Sequence, residues 1–219
     1  MTEAEWLVCA DPTPMLDFLR GKVSDRKLRL FACACCRRIW HLFSHQDSFK
    51  SIEVGERFAE GEATDEELRL ADELAMWAGD DASWRSMQKA AIAWAAAAPV
   101  QKNGSSAAQS AVFELQRVFA GNEPKCDEER VAQCMLIREI FDNPFRPAGI
   151  VPAYLAWKDG PVVKLAQGIY DERVFDRLPV LADALEDAGC TSQEILSHLR
   201  QSGVHVKGCW ALDLVLGKE

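Results

Sequence analysis

From Asp25 to about Ser44 the apolar residues Leu28, Phe31, Ala32, Cys35, Ile39 and Leu42 recur three or four positions apart, with Arg26, Arg29, Arg37 and Arg38 largely off that stripe. This spacing predicts a long helix at the centre of an N-terminal core. The same reading places short helices over 2–9 and 12–20, and another over 47–60 with Ile52, Val54 and Phe58 inward. Alanine-rich 65–97 reads as one long helix or as two separated near Gly79-Asp80-Asp81, and Pro99 ends it. After the linker Lys102-Asn103-Gly104-Ser105-Ser106 a helix over 107–120 returns along it as an αα-hairpin. Residues 127–142 form an amphipathic helix on Val131, Cys134, Met135, Ile137, Ile140 and Phe141, stopped by Asn143-Pro144. Short segments follow near 152–157, 161–171, 176–188, 192–200 and 208–216. Thr2 with Glu5, Thr64 with Glu67, and Thr191 with Glu194 each have the spacing of a capping box, while Ser24 opens the central helix. Gly21, Gly61, Gly121 and Gly189 stand where helices should stop.

With two tyrosines and few runs of Val, Ile or Thr, the chain leans to helix over strand. The expectation is an all-α fold: a multi-helix bundle forming a single domain over 1–219. Its sub-regions are N-terminal helices over 1–62, an Ala-rich helical hairpin over 63–122 and short C-terminal helices over 123–219. Six of the seven tryptophans, Trp40, Trp77, Trp84, Trp94, Trp157 and Trp210, read as core or interface anchors rather than a cofactor box.

Composition sharpens this picture by exclusion. With 48% hydrophobic and 27% charged residues over 219 positions, fibrous and wholly disordered readings fall away. No apolar run approaches the roughly 20 residues that span a bilayer, and the N-terminus carries acids where a signal peptide carries bases, so the expected location is the cytoplasm. The net charge of −9 disfavours nonspecific adhesion to nucleic acid or anionic lipid. Acidity is concentrated in 61–100, with eight acidic residues against three basic. Lys22, Arg26, Lys27, Arg29, Arg37 and Arg38, set against Asp25 alone, leave a local anion-binding face as a minor alternative.

Several phrases are distinctive: Phe31-Ala32-Cys33-Ala34-Cys35-Cys36-Arg37-Arg38-Ile39-Trp40-His41-Leu42, Asn143-Pro144-Phe145-Arg146-Pro147, the stretch from Leu181 to Cys190, and Gly208-Cys209-Trp210. They resemble a group of uncharacterised bacterial proteins seen especially in planctomycetes. The resemblance covers the first 60 residues and those from about 130 onward. It implies a specific fold and carries no activity with it.

The chemistry-bearing residues are cysteines and histidines. Eight cysteines on a chain able to stabilise itself by burial are expected to be thiols in a reducing compartment. A metal site from Cys33, Cys36 and His41, with His45, conflicts with helical geometry, because His41 lies about 140° around the axis from Cys36. Packing is the better reading there. The C-terminal set Cys190, His198, His205 and Cys209 has the residue types of a tetrahedral zinc centre, spaced C-x₇-H-x₆-H-x₃-C. Cys190 and His198 would stand about 12 Å apart along a helix, so a subset of His198, His205 and Cys209 closes more easily, the Ser202-Gly203 loop folding back. Asp183, Glu186 and Asp187 read as the wet face of a helix rather than paired catalytic carboxylates.

No phosphate loop, nucleophile elbow or H-E-x-x-H helix occurs. The expected function is a non-catalytic helical interaction or adaptor protein, with no catalytic residues and a protein partner whose identity the sequence leaves open. No resident cofactor is expected: Cys190, His198, His205 and Cys209 read first as core thiols and hydrogen-bonded histidines, with zinc at that set as the alternative. The alternatives are a metal- or thiol-dependent enzyme using that set, and a nucleic-acid binder acting through residues 22–38.

Overall fold

The first helices start as their capping residues dictate. The Thr2 N–H donates to Glu5 Oε2 at 2.7 Å and the Glu5 N–H to Thr2 Oγ1 at 3.3 Å, and Thr64 and Glu67 make the same reciprocal pair at 2.8 and 3.2 Å. The third expected box does not form: Ser192, not Thr191, caps its helix, which puts Glu194 one position too early to reach back. The computed structural model describes residues 1–83, 86–156 and 160–219, so Trp84 and Trp157 lie outside the described residues. Within them the chain forms thirteen α-helices and no strand, the all-α bundle its sequence implies. Among the described residues no helix is long and apolar enough to cross a membrane.

The chain divides into two compact units, Met1–Ile137 and Arg138–Glu219. The first contains α1 (Glu3–Val8), α2 (Pro12–Leu19), α3 (Asp25–Arg38), α4 (Gln46–Ala59), α5 (Asp65–Ser83), α6 (Met87–Ala95), α7 (Gly104–Val118) and most of α8 (Glu123–Phe141). Helix α3 is its centre, packed on α4 and α7. It ends at Arg38, six residues before the expected end, and gives way to a 3₁₀ turn over Trp40–Leu42. It is also buried on more than one face: Leu28 through Cys36 are all buried, Arg29 included. Arg29 is accommodated because its guanidinium donates to the carbonyls of Pro99 at 2.6 Å and Gln101 at 2.8 Å.

The alanine-rich segment is two helices, but Gly79 does not part them. It lies inside α5 beneath the Trp94 indole, where a Cβ would come within 2.0 Å of the ring. The expected linker is largely helix: Asn103 caps α7, accepting from the Ser106 N–H at 2.8 Å, and Gly104 is its first residue. Along α8 the apolar stripe departs from expectation. Val131 and Met135 are exposed, whereas Glu129, Gln133 and Glu139 are buried.

The second unit contains the end of α8, α9 (Pro152–Leu155), α10 (Pro161–Glu172), α11 (Leu178–Asp187), α12 (Gln193–Arg200) and α13 (Trp210–Leu216). Its core combines Val162 and Ile169 of α10, Leu181 and Leu185 of α11, Ile195 and Leu199 of α12, and Leu212 and Val215 of α13. Helix α11 ends in a Schellman motif. Gly189 takes φ 94°, its N–H donates to Glu186 O, and the Cys190 N–H donates to Leu185 O. Cys190 is thus the residue just past the cap, whose side chain this motif turns into the core.

Candidate metal centre

Four donor groups of the second unit converge: Glu139, His198, His205 and Cys209 each offer one ligand atom, and these atoms all lie within 4.8 Å of one another. Each comes from a different local structure. Glu139 stands near the end of α8, in an apolar run beside Ile137, Ile140 and Phe141. His198 lies in the last turn of α12. The chain then leaves α12 at Gln201, turns through Ser202-Gly203, and brings back His205; Cys209 follows as the N-cap residue of α13.

The distances define a connected network. His205 Nδ1 is 3.0 Å from Glu139 Oε1, and His198 Nε2 is 3.3 Å from both Glu139 Oε2 and Cys209 Sγ. Around a tetrahedral zinc ion with bonds of about 2.0–2.3 Å, neighbouring donors are about 3.3–3.7 Å apart. The three contacts are near that spacing, and with every donor within 4.8 Å of the others the group closes on an ion by small side-chain shifts, outward at the Glu139–His205 edge and inward at the longer ones.

The ring nitrogens reveal where protons sit. Both nitrogens of His205 face oxygen atoms, Glu139 Oε1 at 3.0 Å and the Gln201 carbonyl at 3.3 Å, an environment that favours the doubly protonated ring. Burial pulls its pKa down, but the Glu139 hydrogen bond and charge outweigh it and leave the value raised. His198 is the opposite case. Trp210 Nε1–H donates to its Nδ1 at 3.2 Å, and an indole nitrogen only donates, so Nδ1 carries no proton and Nε2 does. Burial, aided by the neighbouring His205 charge, lowers the His198 pKa against the attraction of Glu139. Burial and then the Glu139 charge push the Cys209 thiol well above its ordinary range, against the pull of the Leu212 and Ala211 amides.

No family model, curated protein or solved structure matches the chain. The functional reading therefore rests on geometry alone.

Of the four candidate ligands, three come together here and Cys190 falls outside the group, its N–H closing α11 and its side chain in the core. Sequence reasoning missed Glu139. Its one signal is a carboxylate set in a run with Ile137, Ile140 and Phe141.

The other candidates resolve differently. Cys33, Cys35 and Cys36 are buried; the Cys36 thiol donates to Ala95 O at 3.1 Å, and burial drives all three pKa values up. His41 is exposed, and His45 Nδ1 accepts from the Asp47 N–H. The basic segment 22–38 is largely neutralised within its own unit. Arg26 pairs with Glu60 at 3.0 Å, Arg37 grips both Glu56 oxygens, Arg38 reaches Glu129 at 3.1 Å, and Lys22 lies over the Phe18 ring. Asp183 and Glu186 are both bound by Arg200 on an exposed surface. On α5, Leu70, Leu74 and Trp77 stand exposed at helical spacing.

Proposed function

We propose that this is a non-catalytic helical interaction protein whose C-terminal unit is fastened by one zinc ion bound to Glu139, His198, His205 and Cys209. The observation that carries the reading is the convergence of four donor atoms from separate elements within 4.8 Å. Two nitrogens, one sulfur and one oxygen suit zinc. Four protein donors complete its tetrahedral shell and leave no open position for a substrate, which favours a fastening role over hydrolysis. The ion would tie α8 to the α12–α13 connection, drawing together residues about 70 positions apart.

Titration of the metal-free chain with zinc tests this. One equivalent binds the wild type, and uptake releases the Cys209 thiol proton together with whatever proton His205 holds at that pH. Glu139→Gln and Cys209→Ser, checked for native helix content, lose stoichiometric binding. Wild-type protein that takes up no zinc, or variants that bind as it does, defeat the reading.

The interaction surface has its own supporting observation. Leu70, Leu74 and Trp77 of α5 are 45%, 47% and 60% exposed, beside exposed Asp65 and an exposed cluster in which Arg69 pairs with both Glu66 and Glu73. Beside them lies a cavity of about 450 Å³ lined by Phe43, His45, Ala78, Asp81 and Ile92 among others. The His45 ring is 5.9 Å from that of Trp77. An apolar stripe whose edge stays net acidic after Arg69 has paired with Glu66 and Glu73 suits a cationic amphipathic helix of a partner protein. A lysine- and leucine-rich helical peptide should bind the wild type and lose at least tenfold in affinity to Leu74→Lys/Trp77→Lys; equal affinity refutes this surface.

A further inference from the structure

The hydrogen bonds around His198 pose a problem that zinc binding has to solve. A histidine that ligates through Nε2 carries its proton on Nδ1 and gives it to an acceptor. In the metal-free network Nδ1 instead accepts from Trp210 Nε1–H at 3.2 Å, and the Gln201 amide nitrogen stands at the same distance. If His198 turns its Nε2 lone pair to zinc, Nδ1–H meets two donors. The indole has no acceptor to offer. The amide does, because half a turn about its last bond exchanges Nε2 for Oε1, and Gln201 is exposed enough to make that turn.

His205 already has what it needs. Its Nε2 faces the Gln201 carbonyl at 3.3 Å while its Nδ1 faces the other donors, so losing the Nδ1 proton to zinc leaves the outer hydrogen bond in place. Both imidazoles therefore depend on the same residue, one through its main chain and the other through its side chain.

We infer that Gln201 is the positioning residue of the zinc site: its carbonyl holds His205 by Nε2–H, and its side-chain amide turns to accept His198 Nδ1–H, displacing Trp210 Nε1–H from that nitrogen. The inference rests on the zinc reading above and adds a rearrangement to it. Loading the site is not a simple insertion. It moves the His198 proton from Nε2 to Nδ1, with no net loss from that ring, and it releases the Trp210 indole from its acceptor. Metal occupancy is thereby written into the first turn of α13.

The full-length chain with ¹⁵N-labelled tryptophan tests this. The Trp210 indole signal, assigned by its loss in Trp210→Phe, is followed during titration with zinc, and zinc affinity is measured by competition with a chromophoric chelator. In the wild type the Trp210 indole proton should move upfield as one equivalent binds. Gln201→Leu keeps the carbonyl for His205 but removes the acceptor for His198, and should weaken zinc binding by about 10- to 100-fold. Gln201→Glu restores an acceptor and should bind within a few-fold of wild type, an outcome that a merely structural role for the side chain does not predict. Wild-type zinc binding with an unmoved Trp210 signal, or with Gln201→Leu as tight as wild type, overturns this inference and leaves the site standing. Failure of the wild type to bind zinc overturns both.

Discussion

Each unit buries a polar group at a junction of helices, and the two solve the problem in opposite ways. In the first, the Arg29 guanidinium is 2% exposed and spends its N–H groups on fixed carbonyls of the segment after α6. Its donors point outward from one centre to several acceptors, so the arrangement is complete and has no use for an ion. In the second, Glu139, His198, His205 and Cys209 point their lone-pair atoms inward at one another. That cluster satisfies itself without metal only by holding protons between its members. A buried polar group that radiates is a structural clamp. One that converges presents its donor atoms to a single point, the arrangement on which the proposed zinc site rests.

The largest expected effect breaks the clamp. Arg29→Met leaves the Pro99 and Gln101 carbonyls without their donor and should cost about 3 kcal/mol of stability. Denaturant unfolding should show this while zinc uptake by the second unit stays intact. Chelation provides the converse. A ligand held at a hundredfold over its dissociation constant stabilises by about 2.7 kcal/mol. Removing zinc should lower the unfolding midpoint of the wild type by that order and leave the midpoint of Cys209→Ser unchanged. Acidification should weaken zinc binding, because the His205 pKa is raised and the Cys209 thiol must also give up its proton.

Smaller effects separate the two C-terminal cysteines. Gly189→Ala places a Cβ at φ 94° and should cost about 1–2 kcal/mol without touching the site. Cys190→Ala removes a buried sulfur from the core and should cost about 1 kcal/mol, with zinc affinity retained. Loss of zinc in Cys190→Ala would mean that the sequence spacing, not the observed geometry, identifies the ligands.

What the sequence disclosed follows the range of the forces involved. Caps and stops are local, so Thr2 with Glu5, Thr64 with Glu67, Ser24, and the terminating glycines could be read directly. The role of Gly79 could not, because its reason is the Trp94 indole on the next helix. The α8 face was misjudged for a related cause. Val131 and Met135 fit an apolar stripe, yet Glu129 and Glu139 are buried because partners distant in sequence, Arg38 for one and His205 for the other, receive them. The candidate site was legible to the extent that it lies in one stretch: His198, His205 and Cys209 fall within 12 residues. Glu139 and the loss of Cys190 to a helix cap are consequences of tertiary folding, outside the reach of spacing.

X-ray absorption at the zinc edge of the loaded full-length protein examines the centre most directly. The account predicts one sulfur at about 2.3 Å and three nitrogen or oxygen neighbours at about 2.0 Å. A shell with two sulfurs, admitting Cys190, or with none, excluding Cys209, would contradict it.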